Sequence, residues 1–276
     1  MRRAEEGLAL RHAAVLGLVQ GPAELLPISS SAHTALIPWL AGWPYAELDG
    51  ELRKSFEVAL HAGAGCALAL VMRRELAREL AVLDRRRIAV LALSLAPPVI
   101  AGSVLRRPIE RHTGGPRSIA AGLLAGAIAM AFADARATAA ERTCEEARAI
   151  DGLALGLAQA TALIPGVSRN GATLTAARAR GFTRDAAQAL SWNAALPVIL
   201  GASVLKGSRL VHRGAPRGAR APLALGGATA FLSTLASARV LRRGRGDRRG
   251  GRALLPYSLY RCLLAALVLR RARRAQ

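Results

Sequence analysis

The sequence predicts an all-α polytopic membrane protein: six transmembrane helices plus two re-entrant helical hairpins in an inverted-topology repeat. Three observations carry that expectation. Charges are bunched into short runs that leave six long apolar stretches nearly free of them. Two further apolar regions are broken by proline and glycine and hold polar and charged residues at their centres. Each broken region is followed by three of the uninterrupted stretches.

The averages, 52% hydrophobic and 21% charged over 276 residues, would suit a soluble domain, but the arrangement does not. Segments 88–105, 118–133 and 186–205 contain no charged residue, 55–72 carries only Glu57 and His61, 221–241 only Arg239, and 253–269 only Arg261. An apolar run of about 17 to 25 residues is what a helix needs to cross the hydrocarbon core.

The net charge of +21 sits between those runs, as in Arg73 and Arg74, Arg85 to Arg87, Arg242 and Arg243, and Arg270 and Arg271. No aromatic residues are interleaved for stacking on bases, so no nucleic acid is expected; the arginines suit membrane lipids and their anionic headgroups. Cys66, Cys144 and Cys262 show no CxxC or metal-ligand spacing, so neither a disulfide nor a zinc site is expected. Glu5 and Glu6 follow Arg2 and Arg3, and Arg11, His12 and Pro22 interrupt the first apolar stretch, which argues against a cleaved signal peptide.

The first broken region, 13–40, is interrupted by Gly21, Pro22 and Pro27 and holds Gln20, Glu24, Ser29, Ser30, Ser31 and His33. The second, 150–177, is interrupted by Pro165 and Gly166 and holds Gln159, Ser168, Arg169, Asn170 and Thr173. Non-helical backbone at membrane depth is tolerated only where protein or a wet cavity covers it, so both regions read as re-entrant hairpins lining one site. An odd number of crossings between them makes the second half enter from the opposite face. The expected repeats are therefore 1–140 and 141–276 within one membrane domain. The loose likeness of 20–27 to 159–165 is the residue-level trace of that repeat. Lys and Arg divide evenly between the two faces, so the positive-inside rule does not orient the chain.

In the first motif, Gln20 and Glu24 fall one turn apart on a helix, and Ser30 and His33 three residues apart. A carboxylate at membrane depth needs a partner or a cation. A hydroxyl beside an imidazole is an elementary nucleophile and base, although serines at such a turn also serve as helix caps. In the second motif, Pro165 and Gly166 end one helix, Ser168 can cap the next, and Gly171 lets backbone approach a ligand. Arg169 brings a planar fork suited to phosphate oxygens; its other candidate partner is Glu24, in a structural ion pair.

These motifs resemble the undecaprenyl-diphosphatases, the bacitracin-resistance proteins. The resemblance runs through Gln20, Glu24 and Pro27 to His33, then Pro165 to Thr173. It adds Phe56, Glu57 and Val58 opening a span, Pro197 within a span, and Pro256, Tyr257, Tyr260 and Arg261 near the end. Gln20 stands where the family often has Glu, Ala32 where it has Gly, and Asn170 where it has Ser. The resemblance implies hydrolysis of undecaprenyl diphosphate to undecaprenyl phosphate and inorganic phosphate in the bacterial plasma (inner) membrane, with the site toward the periplasm. On it, Ser30, His33, Glu24 and Arg169 are expected to be catalytic. Arg169, Ser168, Asn170, Gly171, Thr173 and Ser29 are expected to bind phosphate. Glu24 and Gln20 are expected to hold Mg²⁺ or Ca²⁺. The resemblance also leaves room for a homodimer. Inverted repeats with broken helices equally suit a transporter of prenyl phosphate, which needs the anion site but no nucleophile beside a base.

Overall fold

Residues 8–137, 139, 141–213, 218–243 and 254–274 are described by a computed structural model. Those residues are helical apart from turns, a 3₁₀ turn at Cys144–Glu146 and one isolated bridge between Arg142 and Phe182. The first broken region forms α1 (Leu10–Leu25) and α2 (Ser30–Ala41), and the second forms α8 (Ala149–Thr161) and α9 (Arg169–Ala179). The six expected stretches form α3 (Gly50–Val71), α5 (Arg85–Val104), α7 (Pro116–Arg136), α10 (Arg184–Arg213), α11 (Arg220–Arg243) and α12 (Leu255–Arg274). Each starts where local chemistry allows. Asp49 caps α3 by accepting from the backbone N–H of Glu51 and Leu52, Asp84 caps α5 by accepting from Arg87, and Pro116 opens α7.

Two connections expected as loops contain short helices, α4 (Arg73–Ala81) and α6 (Arg106–Thr113). In α4 the reason is visible in the sequence. Leu76 and Leu80 lie one turn apart among Arg and Glu, the pattern of a helix resting in the headgroup layer.

Among the described residues, four helices are long and apolar enough to cross a membrane: Gly50–Val71, Arg85–Val104, Pro116–Arg136 and Arg220–Leu241. α10 has charged ends and Pro197 inside it; α12 encloses Arg261 and closes on Arg271, Arg273 and Arg274. Large apolar side chains face outward in rows: Val99, Ile100 and Val104 on α5, Ile128 and Phe132 on α7, Leu263 and Leu267 on α12. Such rows are a liability in water and what lipid solvates.

The helices sort into two compact units interleaved along the chain. One holds α1, the segment His33–Leu76, α10 from Val198 and α11. Its core is Leu16, Tyr45, Phe56, Leu60, Leu223 and Ala230, and α11 packs on both α1 and α3. Glycines make the approach: a Cβ at Gly17 would collide with Thr229, at Gly21 with Ser233, and at Gly63 with the Gly227 carbonyl. In a bilayer lipid tails are as apolar as leucine, so close backbone contact between small residues supplies the packing energy.

The other unit holds Leu26–Ala32, Ala77–Pro197 and α12. Met130, Leu155, Leu174, Phe182, Leu190 and Leu254 form its core. α8 packs on α5 through Gly152 and Gly156, against Val90, Leu93 and Pro97, while α7 packs on α9 and α12. The side-chain amide of Gln159 locks the first pairing by donating to the Ser94 and Ala194 carbonyls.

Candidate active site at two capped hairpin turns

Both hairpins turn through one residue of positive φ: Ser29 at 75° and Gly166 at 95°. Glycine takes that conformation without strain; a serine there is uncommon and is held by its surroundings. Ser29 then caps α2, its Oγ accepting from the Ala32 N–H at 3.4 Å. Ser168 caps α9, its Oγ accepting from the Gly171 N–H at 3.1 Å.

The caps reveal a gapless register between the hairpins. Gln20 precedes Ser29, and Gln159 precedes Ser168, by the same nine residues. In that register Leu16 matches Leu155, Gly17 matches Gly156, Pro27 matches Gly166 and Thr34 matches Thr173. The charged residues do not match: Glu24 faces Leu163 in the alignment, His33 faces Ala172, and Ser30 faces Arg169. Two similar scaffolds therefore carry opposite chemistry, a carboxylate and imidazole on the first and a guanidinium on the second.

On the first hairpin the carboxylate is part of a buried cluster. Gln20 is 1% exposed and Glu24 7%. The Gln20 amide nitrogen lies 3.2 Å from Glu24 Oε2 and 3.2 Å from His61 Nδ1 on α3, and His61 Nδ1 is 3.7 Å from Glu24. His61 was not singled out from the sequence as a site residue, although a histidine in an otherwise apolar span signals one. The orientation of the Gln20 amide bears on the metal. An N–H donor cannot ligate, so only the Gln20 carbonyl oxygen remains for that role beside Glu24.

Among the described residues, no group of three His, Cys, Asp or Glu side chains is placed to hold a cation. Mg²⁺ commonly takes one or two carboxylates and fills its shell with water and substrate phosphate oxygens. Glu24 suits a cation whose remaining ligands are water and phosphate oxygens.

Ser30 and His33 occupy the first turn of α2 at the expected i, i+3 spacing, with Ser30 half-buried and His33 buried. On α9, Arg169 is the first helical residue and is half-buried, at the positive end of the helix dipole. Two neighbours expected to touch phosphate, Thr173 and Asn170, both meet Ser191. The Thr173 hydroxyl is fully buried, 2.6 Å from Ser191 Oγ on α10, and Ser191 donates to Asn170 Oδ1 at 3.0 Å. These contacts tie the start of α9 to α10. The sequence shows their helical spacing but not which neighbour they meet.

The far end of α9 is held by ions. Asp134 accepts from Arg178 Nε at 3.1 Å, Arg184 Nη2 at 3.2 Å and the Leu254 N–H at 3.3 Å. Asp151 accepts from Arg142 and Arg180, each at 2.7 Å.

Arg261, the one charge in its stretch, is fully buried. Its Nη1 donates to the Pro27 carbonyl at 3.3 Å; its Nη2 donates to Gly166 at 3.1 Å and Gly122 at 3.4 Å. The sequence marked it only by resemblance, yet a lone arginine in an apolar span is costly enough to be a signal by itself.

The model of the bacitracin resistance protein BacA family matches residues 13–267. A protein of Geobacter sulfurreducens called undecaprenyl-diphosphatase is 39% identical over 94% of this chain and 97% of its own length. Proteins of the same name from Geobacter metallireducens, 39% identical over 94% of this chain and 96% of their own, and Chromohalobacter salexigens, 34% identical over 94% and 97%, are similar throughout.

Proposed function

The chain belongs to the bacitracin resistance protein BacA family, and we infer that it is an integral membrane phosphatase. It hydrolyses undecaprenyl diphosphate to undecaprenyl phosphate and inorganic phosphate, the activity in the name of its relatives. That places it in lipid-carrier recycling for cell-wall synthesis and in bacitracin resistance. The carrying observation is a guanidinium on the first turn of a serine-capped helix in one hairpin, with a buried carboxylate and an imidazole in the other. A diphosphate needs its charge neutralised, its leaving group aligned and a nucleophile activated, and those residue types supply each requirement.

The proposed roles follow from chemistry. Arg169 holds the terminal phosphoryl oxygens, helped by the α9 start that Ser168 caps. Ser30 Oγ attacks the terminal phosphorus as His33 takes its proton, and the anhydride bond to undecaprenyl phosphate breaks. His33 passes that proton to the departing lipid phosphate; water then attacks the phosphoserine, giving a proton to His33, which returns it to Ser30 Oγ as inorganic phosphate leaves. Glu24 would ligate Mg²⁺ or Ca²⁺, which supplies charge neutralisation on the phosphate oxygens when bound. Ser29 serves as a cap, and Thr173 and Asn170 as braces, so their contribution to phosphate binding is through the shape of the turns.

The architecture proposed is six spans plus two re-entrant hairpins in an inverted repeat. The gapless register of the hairpins supports it. So does their packing: α1 lies on α11 and α8 on α5, and α5 and α11 are the second long helix after their respective hairpins. A site open to the periplasm of the inner membrane accords with the reaction. The transporter reading finds no support among the relatives.

The decisive assay is phosphate release from undecaprenyl diphosphate by purified protein in detergent. Wild type should release phosphate in a cation-dependent way. Arg169→Ala should lose at least about a hundredfold in kcat/KM, as expected for removal of a group that stabilises transition-state charge. Rapid-quench trapping of phosphoserine at Ser30 separates covalent attack from attack by water. No release from folded wild-type protein would sink the reading.

A further inference from the structure

The guanidinium of Arg261 occupies a slot made for it. Its hydrogen bonds among the described residues all go to main-chain carbonyls of three separate segments: Pro27, Gly122 and Gly166. A Cβ at Gly126 would collide with Nη2, and one at Gly171 would stand 2.9 Å from Nη1, so the slot exists because both positions lack side chains. Two of the three acceptors are equivalent. Pro27 and Gly166 occupy the same place in the gapless register, each two residues before the serine that caps the following helix.

We propose that Arg261 is a positioning residue for diphosphate hydrolysis: its guanidinium straddles the equivalent carbonyls of the two hairpin turns and sets the orientation of both capped helix starts. A peptide group is planar, so fixing the carbonyls of Pro27 and Gly166 fixes the opposed N–H groups of Ile28 and Val167 and the entry into each cap. One turn leads directly to Ser30 and the other to Arg169. The φ of 75° at Ser29 is the kind of conformation that persists only when its surroundings over-determine it, and the Arg261 bond to Pro27 is one such restraint. A fork of donors is required. Lysine carries the same charge, but its three donors radiate from one nitrogen and cannot span carbonyls on opposite sides of a planar group. Arg261 is fully buried and acts through the turns.

This inference rests on the diphosphatase reading for its kinetic arm, and hydrogen exchange tests it independently. Arg261→Lys and Gly126→Ala would be compared with wild type in full-length protein. Gly126→Ala keeps the arginine, and alanine in the middle of α7 would otherwise favour the helix, so any loss reports displacement of the guanidinium. For Arg261→Lys, kcat should fall about a hundredfold, the effect of a small misplacement of reacting groups, with KM within about threefold of wild type. Gly126→Ala should change kcat in the same direction by a smaller factor. Amide exchange should quicken in peptides covering 26–32 and 165–171 and stay unchanged in α3 and α5. Wild-type kcat in both variants would overturn the proposal. So would exchange that quickens uniformly with a lowered melting temperature, which marks a general structural role, or a rise in KM alone, which marks direct substrate contact. If wild type itself releases no phosphate, the functional reading fails, and exchange at the two turns still decides the staple.

Discussion

Replacing Arg178 by methionine isolates the cost of one buried ion. Arg178 is 5% exposed and its partner Asp134 2%. Its Nε donates to Asp134, and its terminal nitrogens donate to the Phe182 and Ala137 carbonyls, each at 2.6 Å. Methionine fills the alkyl volume and replaces none of these bonds. Removing one partner of a buried pair typically costs about 3–5 kcal/mol, because it strands the other charge. Asp134 keeps Arg184 and the Leu254 N–H, so the lower end applies, about 3 kcal/mol. At roughly 2–4 °C per kcal/mol for a chain of this size, the melting temperature should fall by about 6–12 °C. The assay is thermal unfolding of purified protein in detergent by intrinsic tryptophan fluorescence. Adding Asp134→Leu also removes the partner of Arg184 and the acceptor of the buried Leu254 N–H, so the double variant should be no more stable than the single. α9 separates Arg178 from Arg169 by roughly 14 Å, at about 1.5 Å per residue, so kcat below the transition should stay within a few-fold of wild type. A single-variant loss below about 1 kcal/mol, the range of exposed pairs, or a double variant restored to wild-type stability, would refute the reasoning.

Three further outcomes are expected. Ser191→Ala deprives Thr173 and Asn170 of their common partner and should cost about 1–3 kcal/mol, read by the same melt, with a lowered kcat as the α9 start loosens. Gly63→Ala pushes a methyl into the Gly227 carbonyl and should destabilise by about 1–3 kcal/mol or more, while Gly102→Ala, with open space around its Cβ, should be neutral or stabilising; equal effects would discredit the close α3–α11 contact. Burial, reinforced by Glu145 and Glu79, pushes the Cys144 thiol up to about 11. Only the thiolate reacts, so with Cys66 and Cys262 replaced by alanine, alkylation at pH 8 should run about two orders of magnitude slower than for a free thiol near 8.5, and should accelerate tenfold per pH unit up to about pH 11.

Much of this protein was legible in its residue order. The charge-poor runs each fall on one of the six long helices, with α3 starting earlier and α10 running further than its run, because a long apolar run has few alternatives to a helix in a bilayer. Pro27 and the Pro165–Gly166 pair located the breaks at Leu26 to Ser29 and Ala162 to Ser168, whereas Gly21 and Pro22, expected to interrupt the first region, lie inside α1; both serine caps follow from their place after a helix-ending turn. Short amphipathic helices such as α4 carry a weaker signal, two leucines a turn apart inside a charge run that also suits a loop.

What the sequence could not assign is the partner of each polar group. Glu24 and Gln20 were a turn apart by helical geometry, but His61, forty-one residues from Gln20, joins them only because α3 packs beside α1. The Thr173 hydroxyl meets Ser191, and Arg261, marked in the sequence only by the resemblance, meets three distant carbonyls. Helix content and breaks depend on nearest neighbours along the chain, so the sequence by itself determines them. Hydrogen-bond partners across helices depend on which faces meet, and that is decided only when glycines and side-chain volumes fix the packing.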